Sequence, residues 1–391
     1  MTSQEGNTIP FYRDERVLNV IAQVVSAILV VGFLVWAVLN FLQAAEARNM
    51  TLTFGFLDEA AGFPISNPPI EYEPSMTYTR AFSVGLVNTL IVSVTGIIAA
   101  TIIGTLLALA RLSSNWLLSR IALVYIEFNR NIPLLVLLFI LYFVVFGGLP
   151  DVSNSIVGPG PSYINRRGIY LTWPRLTETG APFVIFLSIG VVLGIILFIL
   201  LRRRRELTGQ NTYYGQVSAG VIIVSGVLGW VFSGGTPFVL SVPAISGFNF
   251  QGGLRLTPEF TGMFIGLTMY TSAFIAEVVR AGIQAVDRGQ IEAARAVGLT
   301  TTQVLSLVIL PQALRVIIPP MISQYLNLTK NSSLALAIGF QDIFSVGRIA
   351  INQSGRAVPI FVLVMLTYLC LSLITSYVIN IYNRRIQFVT R

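Results

Sequence analysis

Eight long apolar runs divide this chain, and they constrain its fold more than any other feature of the sequence. They cover residues 17–42, 84–110, 121–146, 183–201, 217–232, 258–283, 317–340 and 358–381. A helix needs about 20 apolar residues to cross the hydrocarbon of a bilayer. Helices also satisfy their own backbone hydrogen bonds in lipid. The sequence therefore predicts an all-α fold, a polytopic membrane bundle of about eight transmembrane helices surrounded by lipid.

The composition excludes several classes of protein and site. The chain is 54% hydrophobic and only 11% charged, which is unlike a soluble globular protein. It has no histidine, so His-based catalytic triads and His metal sites are impossible. Its single cysteine, Cys370, lies in an apolar run and permits neither a disulfide framework nor a thiolate metal site within one chain. We expect no enzymatic activity and no cofactor bound by this chain.

The net charge of +8 is distributed over short loops, so it predicts membrane orientation and no nucleic-acid partner. With eight spans, both termini lie on one side. The basic residues of that side would be Arg13, Arg16, Arg111, Arg120, Arg202, Arg203, Arg204, Arg205, Arg280, Arg288, Arg295, Arg315, Arg384, Arg385 and Arg391, fifteen in all. The opposite side would hold eight, namely Arg48, Arg80, Arg166, Arg167, Arg175, Arg255, Arg348 and Arg356. The excess predicts that both termini are cytoplasmic.

Two regions are predicted from the order of the runs. Residues 1–82 would form an N-terminal anchor helix and an outer, periplasmic loop. The first run is too long for the core of a signal peptide, although residues 45–47 have the small-x-small look of a cleavage site. Residues 83–385 would form the transmembrane domain, with a loop and a helix pair inserted at 148–253. Residues 147–182 are rich in Gly, Pro and Ser, which predicts an irregular loop.

A short polar segment between the sixth and seventh runs is the most distinctive motif. Ala293, Ala294 and the neighbouring Glu292 favour a small helix, and Gly298 suits the left-handed position that ends one. One of the threonines at 300–302 can cap a second helix over 304–310, which Pro311 is predicted to close. A lone Glu-Ala-Ala would be no more than an ordinary cytoplasmic loop.

The spacing is more specific than the composition. Glu-Ala-Ala at 292–294 is followed after three residues by Gly298, and after nine more by an aliphatic residue, one residue and then Leu310-Pro311. This pattern resembles the coupling loop of ABC-importer permeases, with Val308 in place of the usual Ile. Pro-Gln-Ala-Leu-Arg at 311–315 and Lys-Asn-Ser-Ser-Leu at 330–334 resemble the polar-amino-acid branch of that family.

The resemblance implies a fold, a set of partners and a coupling site. The fold would be a type I importer permease core with extra helices, similar to the long subunit of general L-amino-acid systems in the bacterial inner membrane. Such subunits pair with a paralogous permease, carry two ATPase copies and receive substrate from a periplasmic binding protein. The loop 287–311 would dock the ATPase. Its contact residues would be Glu292, Ala293, Ala294, Gly298, Leu310 and Pro311.

The chain has no nucleotide site of its own. Lys330 is its only lysine, and no Gly-x-x-x-x-Gly-Lys-Ser/Thr surrounds it. ATP and Mg²⁺ would therefore be bound by a separate ATPase chain. The alternative is an ion-coupled secondary carrier or a channel that works alone. Such carriers usually have duplicated halves, whereas the coupling motif occurs once here. Co-purification of an ATPase would separate the two hypotheses.

A polar patch predicts the substrate pathway. Lys330 falls within the seventh predicted span, where an ammonium costs roughly 2.5–3.5 kcal/mol unless it faces a partner or water. Glu127 and Glu277 are candidate partners. The patch would either hold a structural ion pair or offer a cation to the carboxylate of an amino acid. The candidate pathway residues are Asn88, Glu127, Arg130, Thr271, Ser272, Glu277, Asn327, Lys330, Asn331 and Ser332.

Overall fold

A computed structural model describes residues 15–47, 53–247 and 249–386. Within those residues seven helices are long and apolar enough to cross a membrane, or eight when one bent pair counts as a single span. This confirms the predicted bundle of about eight spans. The parts of the termini that carry Arg13 and Arg391 lie outside the described residues, as does Arg48.

Twelve α-helices are described. They are α1 Glu15–Ala47, α2 Tyr78–Arg111, α3 Trp116–Asn131, α4 Leu134–Phe139, α5 Ala181–Thr208, α6 Tyr214–Phe232, α7 Pro258–Gln284, α8 Arg288–Ala296, α9 Thr301–Gln303, α10 Leu310–Asn331, α11 Ile343–Ser354 and α12 Ala357–Ile386. The helix α2 begins before residue 83, so the predicted boundary between the first two regions falls inside a helix.

The centre of the bundle is the close contact between α2 and α7. A Cβ atom on Gly104 would lie 2.7 Å from the Ile275 side chain and 2.8 Å from the Ser272 carbonyl oxygen. On its other side α7 packs against α10, where Gly282 faces Ile317. Small residues let helix backbones approach this closely in lipid. The glycine and alanine residues at 96, 100, 104 and 108 are all buried.

The third predicted span is present as a bent pair of helices. The helix α3 ends at Asn131, and the next helix, α4 with a π-helical continuation over Ile140–Phe146, leaves at an angle of 106°. Pro133 has no N–H and disfavours the helical conformation of the residue before it. Ile132 is accordingly extended, with φ −98° and ψ 131°. The bend makes this pair either a broken span or a re-entrant segment.

The prediction that Pro311 closes the helix after the polar segment is wrong. The segment Thr301–Ile338 is a single candidate span, composed of α9, a π-helical stretch Val304–Ile309, α10 and a 3₁₀ stretch Ser332–Ile338. Pro311 lies in the first turn of α10 and closes nothing. The wider π-helical turn before it gives room for the proline ring. The seventh span therefore begins well before the predicted residue 317.

The inserted region 148–253 contains strands, whereas an irregular loop was predicted for 147–182. The strands of this region are β1 Ile156–Gly158, β2 Ser162–Asn165, β3 Gly168–Leu171, β4 Trp173–Leu176, β5 Phe238–Ser241, β6 Ala244–Ser246 and β7 Asn249–Gln251, and β8 Leu254–Leu256 follows directly after it. Four of them form an antiparallel sheet of order β1-β2-β3-β8, and two further pairs are β4-β5 and β6-β7. The predicted helix pair is present as α5 and α6, which pack on each other.

We call the end of the bundle that carries these strands the sheet end, and the end that carries residues 285–300 the loop end. Both α2 and α7 begin at the sheet end. The segment 53–77 lies there too, and it is part of the fold: Phe56, Ala61 and Phe63 are buried in one cluster with Phe82 and Ile343. The sequence predicted this segment only as a loop.

One buried carboxylate connects three elements at the sheet end. Asp342 is completely buried and caps α11 by accepting a hydrogen bond from the Ser345 N–H at 2.8 Å. It also accepts from the Tyr368 hydroxyl of α12 at 2.8 Å and from the Ser332 hydroxyl at 3.3 Å. Asp342 lies between the spans, and its burial raises its pKa to about 6 despite these hydrogen bonds.

This raised pKa predicts a pH-dependent stability. A carboxyl group whose pKa is higher in the folded than in the unfolded protein stabilises the fold most at a pH below the unfolded pKa. This contribution to stability is lost as the pH rises through about 6, the pKa in the folded protein. The substitution Asp342→Asn gives a side chain that is uncharged at every pH and keeps an oxygen that can cap α11. We expect it to raise thermal stability at pH 7, on the order of a few kcal/mol, and much less at pH 4.5. Thermal unfolding of the purified protein in detergent measures both.

The matched control is Asp58→Asn, because Asp58 is an exposed carboxylate in segment 53–77. Its unfolding temperature should follow that of the unmodified protein from pH 4.5 to 7. If the unfolding temperatures of Asp342→Asn and the unmodified protein differ by a constant amount over this pH range, Asp342 does not titrate as described.

Candidate functional site

The candidate coupling element is the helix–Gly–helix at the loop end. Asp287 caps α8 through its carboxylate, which accepts from the Gly289 N–H at 2.6 Å. Gly298 ends the helix in the left-handed conformation, with φ +84°. Thr300 then caps the next helix through a reciprocal capping box with Gln303. The predicted turn chemistry is thus confirmed at both Gly298 and Thr300.

The exposure of this element differs from residue to residue. Glu292, Ala293 and Gly298 are exposed, so a docking protein can reach them. Ala294 is only 7% exposed, because the face of α8 that carries it packs against the π-helical stretch 304–309. The prediction that Ala294 itself enters a partner's cleft therefore does not fit. Among the last two candidates, Leu310 is 46% exposed and Pro311 is half-buried.

Val297 is a contact candidate that the sequence reasoning missed. Its side chain is 78% exposed at the tip of the turn, directly before Gly298. The signal was available, since an aliphatic residue in an otherwise polar turn has no obvious place to be buried. An exposed aliphatic side chain on a rigid, capped turn is well suited to a socket on another protein.

The candidate pathway residues do not form one cluster. Thr271 and Ser272 are buried in α7, and the Ser272 hydroxyl lies 3.1 Å from the hydroxyl of Tyr125 in α3. The sequence reasoning did not single out Tyr125 as a member of this group. Asn88 lies nearer the sheet end, where its amide donates to the Gln341 carbonyl at 2.9 Å.

The charged candidates pair within their own helices. Glu277 and Arg280 lie 2.6 Å apart on α7, and Glu127 and Arg130 lie 3.8 Å apart on α3. Residues three positions apart on a helix are neighbours, so each glutamate has its closest cation on its own helix. The predicted ion pair of Lys330 with Glu127 or Glu277 is therefore wrong.

Lys330 lies near the end of α10 with an exposed side chain, and it forms no ion pair with any residue that the structure describes. Asn327, one turn earlier, is exposed as well. Asn331 is half-buried, and Ser332 is buried against Asp342 and Tyr368. The role of these residues in a substrate pathway stays a prediction.

Comparison with known proteins now gives the family. Residues 96–388 match the family described as the binding-protein-dependent transport system inner membrane component. The chain is 42% identical over 379 residues to the general L-amino acid transport system permease protein AapQ of Rhizobium johnstonii, with 97% of this chain and 94% of that one covered. It is 37% identical over 412 residues to the glutamate/glutamine/aspartate/asparagine transport system permease protein BztB of Rhodobacter capsulatus, with 97% and 96% covered.

The chain is also similar to a crystal structure of an amino acid ABC transporter, with a TM-score of 0.48 and 22% sequence identity. The match covers 79% of this chain and 95% of the chain in that structure. The two relatives span nearly the whole chain, and both are named as permeases of amino-acid transport systems. They favour the permease hypothesis over the ion-coupled carrier or channel. The chain belongs to the binding-protein-dependent transport system inner membrane components, as a permease subunit of the amino-acid ABC transporter type.

Proposed function

We propose that this chain is the permease through which an ATP-driven importer moves polar L-amino acids delivered by a periplasmic binding protein. The exposed, capped α8 turn at the loop end carries this proposal, because it offers a docking knob in a chain that has no P-loop. The substrate class is supported by the relatives, one named for L-amino acids in general and one for glutamate, glutamine, aspartate and asparagine.

Coupling follows from how α8 is attached. On one side it follows α7 after three residues, and on the other it leads into Thr301–Ile338, a span of 38 residues. The buried face at Ala294 holds α8 against the start of that span. We infer that a movement of α8 is passed to this span, which reaches the sheet end. The ATPase copies, which bind ATP and Mg²⁺, would supply the movement.

A paralogous permease is the proposed partner within the membrane. The exposed polar side chains of Asn327 and Lys330 support this, because a lysine at membrane depth needs a polar neighbour or water. A second permease would supply that surface, and the two chains would enclose the substrate pathway between them.

We propose that the loop end is cytoplasmic and the sheet end periplasmic, with both termini in the cytoplasm. The excess of arginines supports this orientation. Arg202 to Arg205 lie near the C-terminal end of α5, the end farther from the strands. Charge bias places such clusters in the cytoplasm.

Accessibility labelling tests the orientation. Ser153 lies in the inserted region at the sheet end and Thr208 ends α5, and both are exposed. Single cysteines at these positions, in a Cys370→Ala background, should react from opposite sides of intact spheroplasts with a membrane-impermeant maleimide. Ser153→Cys should react without permeabilisation, and Thr208→Cys only after it. The reverse pattern, or labelling of both from one side, would contradict the orientation.

A glycine pair tests the coupling role. Gly298 and Gly209 are both in the left-handed conformation, with φ +84° and +69°, and a Cβ atom added to either would have no other atom within 4 Å. Tryptophan at either site therefore costs a similar strain, about 1–2 kcal/mol. We expect Gly298→Trp to abolish substrate-stimulated ATP hydrolysis in proteoliposomes, since the ring blocks the docking turn. Gly209→Trp, on the α5–α6 turn, should retain it.

Co-purification shows what each variant assembles with. The Gly209→Trp complex should contain the ATPase and a second, different permease. Full transport by Gly298→Trp would refute the coupling role of the turn. A transporting complex in which this chain is the sole permease would refute the proposed heterodimer.

A further inference from the structure

A cavity of about 300 Å³ opens at the sheet end, away from the coupling turn. It lies where segment 53–77, β8, the beginnings of α2 and α7, and residues 339–341 meet. The polar residues that line it are Ser66, Asn67, Asn88, Arg255, Thr257, Glu259 and Gln341. Its volume is at the lower end of the range of small-molecule sites, so it has room for one small ligand.

The cavity has one charge of each sign. Arg255, from β8, and Glu259, from the first turn of α7, are both half-buried. The guanidinium of Arg255 donates to the Arg167 carbonyl at 3.2 Å and lies over the Tyr170 ring. Glu259 accepts from the Tyr142 hydroxyl at 3.1 Å. These contacts leave several guanidinium donors and carboxylate lone pairs unused.

Neither charge has a counter-ion among the residues that the structure describes. Among the described residues no carboxylate lies within 4.0 Å of Arg255 and no basic nitrogen lies within that distance of Glu259. The two groups therefore do not neutralise each other by direct contact. A partly buried charge without a partner is costly, and a ligand that carries both opposite charges would satisfy the two groups together.

The walls of the cavity are fixed without a ligand. The Gln341 side chain accepts from the Ser66 N–H at 2.6 Å and donates to the Pro64 carbonyl at 3.2 Å. The Asn67 amide donates to the Arg255 carbonyl at 3.4 Å, and Asn67 has φ +48°, a conformation that asparagine tolerates better than most residues. A site that is already shaped loses less entropy when a ligand binds.

We propose that this cavity binds one free α-amino acid as a zwitterion, with the ligand carboxylate at Arg255 and the ligand ammonium at Glu259. The inference rests on the proposed function, which supplies ligands of this class at this side of the membrane. The cavity lies at the beginnings of α2 and α7, so a bound amino acid would be held at the outer end of the central helix pair.

Binding of L-glutamine tests the proposal, because its side chain adds no third charge. The assembled complex is placed in nanodiscs without nucleotide or binding protein, and binding of radiolabelled L-glutamine is measured by scintillation proximity. We expect Arg255→Met and Glu259→Gln each to weaken binding about tenfold or more, since each removes a charged hydrogen-bond partner. The charge-preserving variants Arg255→Lys and Glu259→Asp should retain most of the affinity.

Two glutamine analogues assign each charge to its residue. Glutaramate lacks the ammonium group, and 4-aminobutanamide lacks the carboxylate. In the unmodified complex both should compete much more weakly than glutamine. The Glu259→Gln complex should no longer distinguish glutamine from glutaramate, but it should still discriminate against 4-aminobutanamide. The Arg255→Met complex should no longer distinguish glutamine from 4-aminobutanamide, but it should still discriminate against glutaramate. A merely structural role of either residue would not produce this crossed pattern.

The matched controls are Arg348→Met and Glu73→Gln, which remove exposed charges outside the cavity and should bind glutamine normally. Normal binding by both cavity variants, or no binding by the unmodified complex, would overturn the inference. Either result leaves the coupling proposal standing, since that proposal is tested separately, by ATP hydrolysis and transport of the Gly298→Trp complex with its binding protein.

Discussion

The backbone-to-backbone approach of α2 and α7 positions the rest of the molecule. At Gly104 the two helices are so close that even a methyl group would meet Ile275 and the Ser272 carbonyl. In lipid there is little hydrophobic gain from bringing helices together, so close packing of small residues has to hold them. The same helix α7 then packs on α10 through Gly282. The three helices form the body on which both ends of the protein are built.

The two ends carry different chemistry because of where these helices start and stop. At the loop end α7 leads into the α8 turn, which exposes Val297 and buries Ala294. At the sheet end α2 and α7 begin beside the inserted strands and segment 53–77. There Asp342 and Gln341 tie α2, α11, α12 and the outer segment together by hydrogen bonds. A displacement of α8 therefore acts on a connected body and not on a single loose helix.

Much of the fold was predictable from the sequence, and the exceptions have physical reasons. Apolar length predicted the spans, because the thickness of the lipid imposes a minimum length on each helix. The sheet was missed because its strands have three or four residues each and β8 pairs with β3 across the whole α5–α6 insertion. The continuous helix through Pro311 was missed because a π-helical turn precedes the proline, and nothing local in the sequence indicates such a turn.

The candidate site was predictable only in part. The capping residues and the left-handed Gly298 follow from local turn chemistry, so the coupling turn was predicted nearly as it is found. Charge partners depend on distances across the bundle, and Lys330 shows the limit: its predicted partners pair with arginines on their own helices. The cavity between Arg255 and Glu259 could not be predicted, since it requires the fold of segment 53–77 against β8.

Photo-crosslinking at the coupling turn tests the central claim most directly. Val297 lies in the coupling turn and Leu207 near the C-terminal end of α5, and both are highly exposed aliphatic residues, with exposures of 78% and 87%. A benzoylphenylalanine residue at each position, irradiated in intact cells, reports what lies against it. We predict that position 297 captures the ATPase chain and that position 207 does not. Capture of the ATPase from position 207 alone, or from neither position in an assembled complex, would contradict the assignment of the turn.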